Sequence, residues 1–230
     1  MAISVIIPTF NEQAILSQAL ARTAALGFSD VIVADGGSTD GTVHLAEACC
    51  ARAAHVRIIT APRGRARQMN AGAKVSGGKT LLFLHADTRL PDNAGQIIES
   101  ALTDPAVQGG RFDVRFDHPS AWARTISTFM NWRSRLSGIA TGDQAMFVRR
   151  HVFEQLGGFA DIPLMEDIEF SRRLKRTGRI AALHETVTTS FRRWERQGPL
   201  RTILLMWAIR FLYWIGVSPH RLTRFYSAVR

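Results

Sequence analysis

Four short apolar runs with no polar alternation punctuate the first part of the chain: ISVIIPTF (3–10), DVIVAD (30–35), VRIITA (56–61) and TLLFLH (80–85). Runs of this length, rich in Val, Ile and Leu, read as strands covered on both faces. Between them the period changes, and Glu12 to Leu26, Thr42 to Arg52 and Arg65 to Val75 read as helices. Strand and helix alternating in this way predict an α/β domain with a parallel sheet, whose ligands sit beyond the carboxyl ends of the strands. Four strand tips are selected by that rule: 8–12, 35–42, 62–67 and 85–89.

The pattern changes after Pro105. GGRFDVRFDH (109–118) alternates, with arginines and aspartates on one face, and a helix-like stretch follows to about Leu136. GDQAMFVRR (142–150) predicts a strand, LGGF (156–159) a turn, and MEDIEFSRRLKRTG (165–178) an amphipathic helix stopped by Gly178. The stretch LRTILLMWAIRFLYWIGV (200–217) is long enough to suggest a membrane span, but Arg210 sits near its centre. A charge there costs roughly 2.5–3.5 kcal/mol on insertion. Trp207, Phe211 and Trp214 fall on one helical face between basic flanks, which predicts an amphipathic helix lying on an anionic membrane surface; a core-packing or dimer-forming helix is the alternative.

Composition sharpens this picture at two points. The 230 residues are 46% hydrophobic, enough for a sizeable core and too many for disorder. Charge is unevenly spread: residues 1–110 hold nine basic and nine acidic residues, whereas from Ser171 onward thirteen basic face two acidic. Such a basic tail favours phosphate, although an Arg-rich composition with only three lysines explains part of it. Cys49 and Cys50 are neighbours in a predicted helix and do not suggest a disulfide. The opening MAISVIIPTF lacks a basic n-region and a cleavage site, so a cytoplasmic location is expected.

Chemistry-bearing residues cluster at the strand tips. In VADGGSTDGT, Ser38 and Asp40 suit the capping of a following helix, but that leaves Asp35 unexplained at the end of an apolar strand. A carboxylate there can accept from the ring N–H of a nucleotide base. PRGRARQMNAGA (62–73) offers arginines and a helix start, a combination suited to a diphosphate. No P-loop or dinucleotide glycine pattern is present, so a nucleotide would be bound another way. His85 and Asp87 fall where a metal bridging that diphosphate would be held, with Asp87 a hard oxygen ligand and His85 either a further ligand or a packing and ribose contact. Glu166, Asp167 and Glu169 open a helix, where acidic residues are commonplace.

Five segments in this order and spacing resemble the family 2 glycosyltransferases with the GT-A fold, over about residues 1–195: SVIIPTFNE, VADGGSTDGT, FLHADTRLP, GDQAMFVRRHVFEQLGGF and EDIEFSRRLKRTG. The resemblance implies a GT-A domain over 1–197, with a nucleotide-binding half 1–104 and an acceptor half 105–197, followed by a helical extension 198–230. It implies an inverting, metal-dependent transfer from a nucleoside-diphosphate sugar to an acceptor hydroxyl, the acceptor being unidentified and of a kind that includes lipid-linked ones. Asp167 resembles the catalytic base, with Glu166 its neighbour, and Asp87 the metal aspartate, with manganese or magnesium as the ion. Pro8, Phe10, Glu12, Asp35, Gly37, Arg65, Arg67 and Asn70 resemble the donor-binding set, and Asp143, Gln144, Arg193 and Trp194 the acceptor side.

This sequence departs from the family at two positions. His85 stands where the first aspartate of D-x-D is usual, as in a small bacterial subfamily associated with radical-SAM/selenodomain proteins, and Gly36 replaces the second aspartate of D-D-G-S. The rival readings are a sugar-phosphate nucleotidyltransferase, which lacks its usual G-x-G-T-R loop here, and a non-catalytic module that binds a nucleotide sugar or a membrane surface. Nucleic acid is not an expected partner. A site at the inner face of the cell membrane and a homodimer are both compatible with the tail.

Overall fold

The computed structural model of the protein describes residues 2–227. Its first half contains the parallel strands β1 (Ile3–Thr9), β2 (Asp30–Asp35), β3 (Val56–Thr60) and β4 (Thr80–Phe83), joined by α1 (Gln13–Ala25), α2 (Thr42–Cys50) and α3 (Arg65–Val75). The second half adds β5 (Thr88–Arg89), α4 (Ala94–Ala101), β6 (Val107–Phe116), α5 (Ala121–Ser137), β7 (Met146–Arg149), α6 (Arg150–Gln155), α7 (Glu166–Leu174) and β8 (Arg179–Thr189). Three helices close the described chain: α8 (Arg192–Gln197), α9 (Pro199–Trp214) and α10 (Pro219–Ser227). All eight strands form one sheet in the order β3-β2-β1-β4-β7-β6-β8-β5, parallel in its first half and mixed in its second.

The apolar runs behave as their composition requires. Successive β1 residues point to opposite faces, so Val5 and Ile7 join Leu16, Leu20 and Phe28 on the α1 side. Ile6 joins Ala66, Met69 and Phe83 on the other. Gly72 lets α3 lie close to β1, since a Cβ there would come 2.5 Å from the Ile6 side chain. Register then brings the strand tips level, pairing Thr9 with Asp35 and Asp35 with Thr60. Loops carrying polar side chains thus meet at one edge of the sheet.

Several boundaries differ from expectation, each for a local reason. The predicted strand 142–150 is interrupted by Ala145 at φ 46, which divides a 3-10 turn (Gly142–Gln144) from β7. The helix expected over 165–178 ends at Leu174, and α4 and β8 were not anticipated. The polar face of β6 is not a solvent face: Arg111 and Asp113 are 2% and 9% exposed. Asp113 there accepts from Arg111 and, at 2.6 Å, from Arg135 of α5, so the alternation marks a buried ion network.

The 198–230 extension folds back onto the domain as far as it is described. Ile209 of α9 is 1% exposed and clusters with Ile139, Leu164, Met165 and Ile168. Its opposite face leaves Leu204, Trp207, Phe211 and Trp214 exposed, as the aromatic spacing predicted. Among the described residues no helix is long and apolar enough to cross a membrane.

Candidate active site

Two loops at the sheet edge are laced into one wall. The backbone N–H groups of Asn11, Glu12 and Gln13 donate to Ser38 Oγ (2.9 Å), Thr42 Oγ1 (2.8 Å) and Asp40 Oδ2 (3.2 Å), and Thr39 N–H returns a bond to Asn11 Oδ1 at 2.9 Å. Asp35 organises the second loop from within. Its buried carboxylate accepts from Gly37 N–H (2.8 Å), Ser38 N–H (2.9 Å) and Ser38 Oγ (2.5 Å). Gly37 has φ 83, a left-handed conformation that glycine adopts at little cost. Pro8 and Phe10 are half-buried on the first loop, with the Arg63 guanidinium 3.9 Å above the Phe10 ring.

The departure at Gly36 has a physical basis. Gln68 of α3 is buried and donates its amide to the carbonyls of Thr9 (2.6 Å) and Ala34 (2.8 Å), clamping the tips of β1 and β2 together. A Cβ at position 36 would lie 3.0 Å from that amide. Nothing in the sequence pattern pointed to Gln68, because a glutamine inside a polar helix reads as surface.

Beyond β4, His85 donates or accepts through Nδ1 to Asp143 Oδ1 at 3.1 Å. Its Nε2 is buried with no hydrogen-bond partner among the described residues and lies against Gly142, where a Cβ would be only 2.4 Å from the ring. Asp143 is pushed up by burial, but its bond to His85 and the charges of His85, Arg65 and Arg193 hold it below the usual carboxylate range. Asp87 stands exposed at the mouth of the cleft. Crowding of protein around its carboxyl raises its pKa above the ordinary range; the Asp143 charge adds to this, and His85 and Arg65 oppose it.

The acids of α7 approach from the opposite wall. Met165, at φ 70, turns the chain sharply into the helix, a strained conformation that costs of order 1–3 kcal/mol. Glu166 is thereby buried, 2% exposed, and meets Arg65 Nη1 at 3.2 Å. Burial raises its pKa and Arg65 pulls the other way. Asp167 is half-buried; Oδ2 accepts from Gly142 N–H at 2.9 Å and Oδ1 from Ile168 N–H at 2.7 Å. Arg65, His85, Gly142, Glu166 and Asp167 line one small recess with Met69, Phe83, Met146 and Phe159. Glu169 turns away and pairs with Arg173.

Not every residue singled out from the sequence reaches this cleft. Gln144 is fully buried, accepting from Thr141 N–H at 3.1 Å in the turn that carries Asp143. Arg67 pairs outside the cleft with Asp161 at 2.7 Å, and both ends of the Asn70 amide clasp the backbone of Phe159. Trp194 packs on Phe116 and Phe191. Arg193 acts on Asp143 through its charge. Two arginines come closer than expected. Arg133 of α5 and Arg210 of α9 both lie within electrostatic reach of Asp167. The isolated charge in an apolar helix was the available signal for Arg210.

An α/β fold with acidic residues facing one another across the carboxyl ends of parallel strands defines a ligand cleft of the nucleotide-binding kind. The sequence pattern of Glycosyl transferase family 2 matches residues 4–157, and the chain belongs to that family. It is 31% identical over 159 residues to the undecaprenyl-phosphate 4-deoxy-4-formamido-L-arabinose transferases of Pseudomonas paraeruginosa and Pseudomonas aeruginosa. That match covers 65% of this chain and 46% of those proteins, so the chain spans less than half their length. Among solved structures it is similar to S. aureus TarS 1-349, with TM-score 0.65 and 14% identity over 92% of this chain and 66% of that one. It is also similar to the mannosyltransferase PcManGT from Pyrobaculum calidifontis in complex with GDP-Man and Mn2+, with TM-score 0.64 and 20% identity over 90% and 64% of the two chains. These likenesses establish the GT-A fold.

Proposed function

We propose that the protein transfers a sugar from a nucleoside-diphosphate sugar to an acceptor hydroxyl with inversion at the anomeric carbon. The observation that carries this reading is the fixed pose of Asp167, both of whose oxygens are held by backbone N–H groups across the cleft from Asp87. Asp167 takes the proton of the acceptor hydroxyl, and the freed oxygen bonds to the anomeric carbon as the bond to the diphosphate oxygen breaks. General-base help of this kind is worth roughly 10²–10⁴-fold in rate. Phe10, Arg63 and the loop organised by Asp35 form the nucleoside wall, and Arg65 at the start of α3 faces the diphosphate.

The residues at the tip of β4 fit a hard divalent ion. Among the described residues no cluster of three or more His, Cys, Asp or Glu side chains could hold one unaided. One or two carboxylates completed by substrate phosphates are the usual arrangement for magnesium and similar ions. Asp87 would hold the ion, and His85, whose Nδ1 is engaged by Asp143 and whose Nε2 is buried against Gly142, would fix Asp143 beside it instead of ligating. When bound, manganese or magnesium would neutralise the charge on the departing nucleoside diphosphate. The relatives named for undecaprenyl-phosphate suggest an acceptor at a membrane. The exposed aromatic face of α9 and the basic tail support adsorption to an anionic cytoplasmic surface.

Release of nucleoside diphosphate from a panel of UDP- and GDP-sugars, with and without manganese, tests this reading. Metal-dependent turnover, with water or an added acceptor, is the expected result. Tight nucleotide binding without any turnover would favour a binding module instead.

A further inference from the structure

Helices α5 and α9 advance side by side. Ile203 packs on the cluster containing Ile126, and the rings of Phe129 and Trp207 meet with centroids 5.7 Å apart. One turn beyond those rings stand Arg133 on α5 and Arg210 on α9, both half-buried. Arg133 Nη2 is buried and has no hydrogen-bond partner, and neither guanidinium forms an ion pair among the described residues.

Several other half-buried arginines are answered by the chain. Arg135 has Asp113 and two carbonyls, Arg149 the carbonyls of Leu102, Asp104 and Val107, Arg150 those of Ala73, Ser76 and Gly78, and Arg173 Glu169. At Arg133 and Arg210, two like charges are instead held together. Burial and then the Arg210 charge push Arg133 down to about 10, against the pull of Asp167. Asp167 cannot answer them as an ion-pair partner in this pose, because its oxygens are committed to backbone N–H groups. An anion seated between the guanidiniums would relieve both repulsion and desolvation.

The position of the pair selects the anion. The transferase reading puts the donor diphosphate at Arg65 and Asp87, whereas this pair flanks Asp167 from the α5–α9 side, with Arg210 also within electrostatic reach of Asp143. Around it lies an apolar surface: Trp132 and Leu136 on α5, with Leu204, Trp207, Phe211 and Trp214 on α9, are each more than half exposed. Arginine forks match phosphate oxygens, and exposed aromatic residues match an acyl or isoprenoid chain. We propose that Arg133 and Arg210 grip the phosphate of a lipid acceptor whose chain lies along the aromatic face of α5 and α9. The inference rests on the transferase reading and assigns two positioning residues and the acceptor class: the acceptor hydroxyl is the P–OH of the lipid phosphate monoanion, whose proton passes to Asp167 as its oxygen bonds to the anomeric carbon and the nucleoside diphosphate leaves.

The test uses the whole chain and phosphatidylcholine vesicles doped with undecaprenyl phosphate, or with phosphatidylglycerol to the same surface charge. The wild-type protein should co-sediment preferentially with undecaprenyl phosphate. The Arg133→Gln/Arg210→Gln pair should lose that preference by roughly tenfold or more, as loss of charge-assisted hydrogen bonds implies. Arg210→Lys, a milder change, should retain part of it. Equal binding of the wild type to both vesicles, or a preference surviving in the folded double variant, would overturn the proposal. So would displacement by inorganic phosphate at concentrations matching the lipid phosphate, which would mean a free-anion site. A wild-type dimer that ignores both vesicles would assign the aromatic face to a second copy. Manganese-dependent nucleotide binding is measured in parallel on the wild type: its absence counts against the transferase reading, while its presence without lipid preference counts against this inference alone.

Discussion

Replacing Asp167 by Asn removes the proposed base while preserving volume, and the contacts of Asp167 separate the two consequences. The carboxylate accepts two backbone N–H groups, from Gly142 at 2.9 Å and Ile168 at 2.7 Å. An amide offers one acceptor and one donor, so one of those N–H groups must face another donor. A buried donor left in that state costs about 1–3 kcal/mol. Asp167 is only half-buried and water can relieve part of this, so we expect the lower end of that range and a fall in Tm of about 2–4 °C.

The loss in rate should be much larger. General-base catalysis at roughly 10²–10⁴-fold corresponds to about 2.7–5.4 kcal/mol of transition-state stabilisation. Nucleotide affinity should hardly change, because Asp167 touches none of the loops that form the nucleoside wall. The assay is release of nucleoside diphosphate from a UDP- or GDP-sugar below the melting temperature of the variant, alongside calorimetric titration of the nucleotide. Turnover within about threefold of wild type would refute the role of Asp167 as base, given the expected range. A fall in activity matched by an equal fall in nucleotide affinity would refute it as well.

Three further outcomes follow from individual contacts. Asp87→Ala should abolish the strengthening of nucleotide binding by manganese, and His85→Ala should only weaken it; equal abolition in calorimetric titrations would make the imidazole a ligand in its own right. Asp143 is held below its ordinary pKa in the fold, so the folded state binds fewer protons than the unfolded chain and Asp143 contributes stability above the ordinary carboxylate range that is lost as pH falls through its folded value. Asp143→Asn should therefore be less stable than wild type in urea melts at neutral pH, with the gap closing under acid, and a gap independent of pH would contradict the His85 and arginine contacts. Gly36→Asp should displace Gln68 from the β1 and β2 tips and lower stability by about 1–3 kcal/mol, and an unchanged melting curve would show that the clamp is dispensable.

The parallel first half of the sheet was legible in the sequence because its signals are local. A strand buried on both faces must be apolar at every position, so β1, β2 and β4 announce themselves, and the parallel topology then names the loops that matter. Less legible were elements whose character depends on distant partners. β8 carries Arg179, His184 and Glu185 among half-buried residues, and its strand identity comes from pairing with β6 and β5 rather than from an apolar run. At Arg111 and Asp113 the alternation marks a polar face but does not reveal that α5 covers it. The same limit applied to Arg210. Within α9 it reads as an obstacle to membrane insertion, and only the packing of Ile209 on Leu164 and Ile168 turns it toward Asp167. Side-chain direction within a loop was equally hidden, which is why Arg67, Asn70 and Gln144 sit on motif positions yet face structural partners.

The histidine at position 85 is best understood through its neighbours. Asp87, Asp143 and Glu166 all approach the space beyond β4, where the Asp143 charge adds to the raising of Asp87 and the Asp167 charge to that of Glu166. An aspartate at position 85 would stand directly against Asp143, adding a like charge where only 3.1 Å separates the present side chains. Imidazole avoids that repulsion, and its Nδ1–H can donate to Asp143. The flat ring also suits the approach of Gly142, whose N–H is the group that holds Asp167. His85 therefore braces one turn, Gly142–Gln144, through both Asp143 and Gly142, and Gly142 N–H in turn holds Asp167.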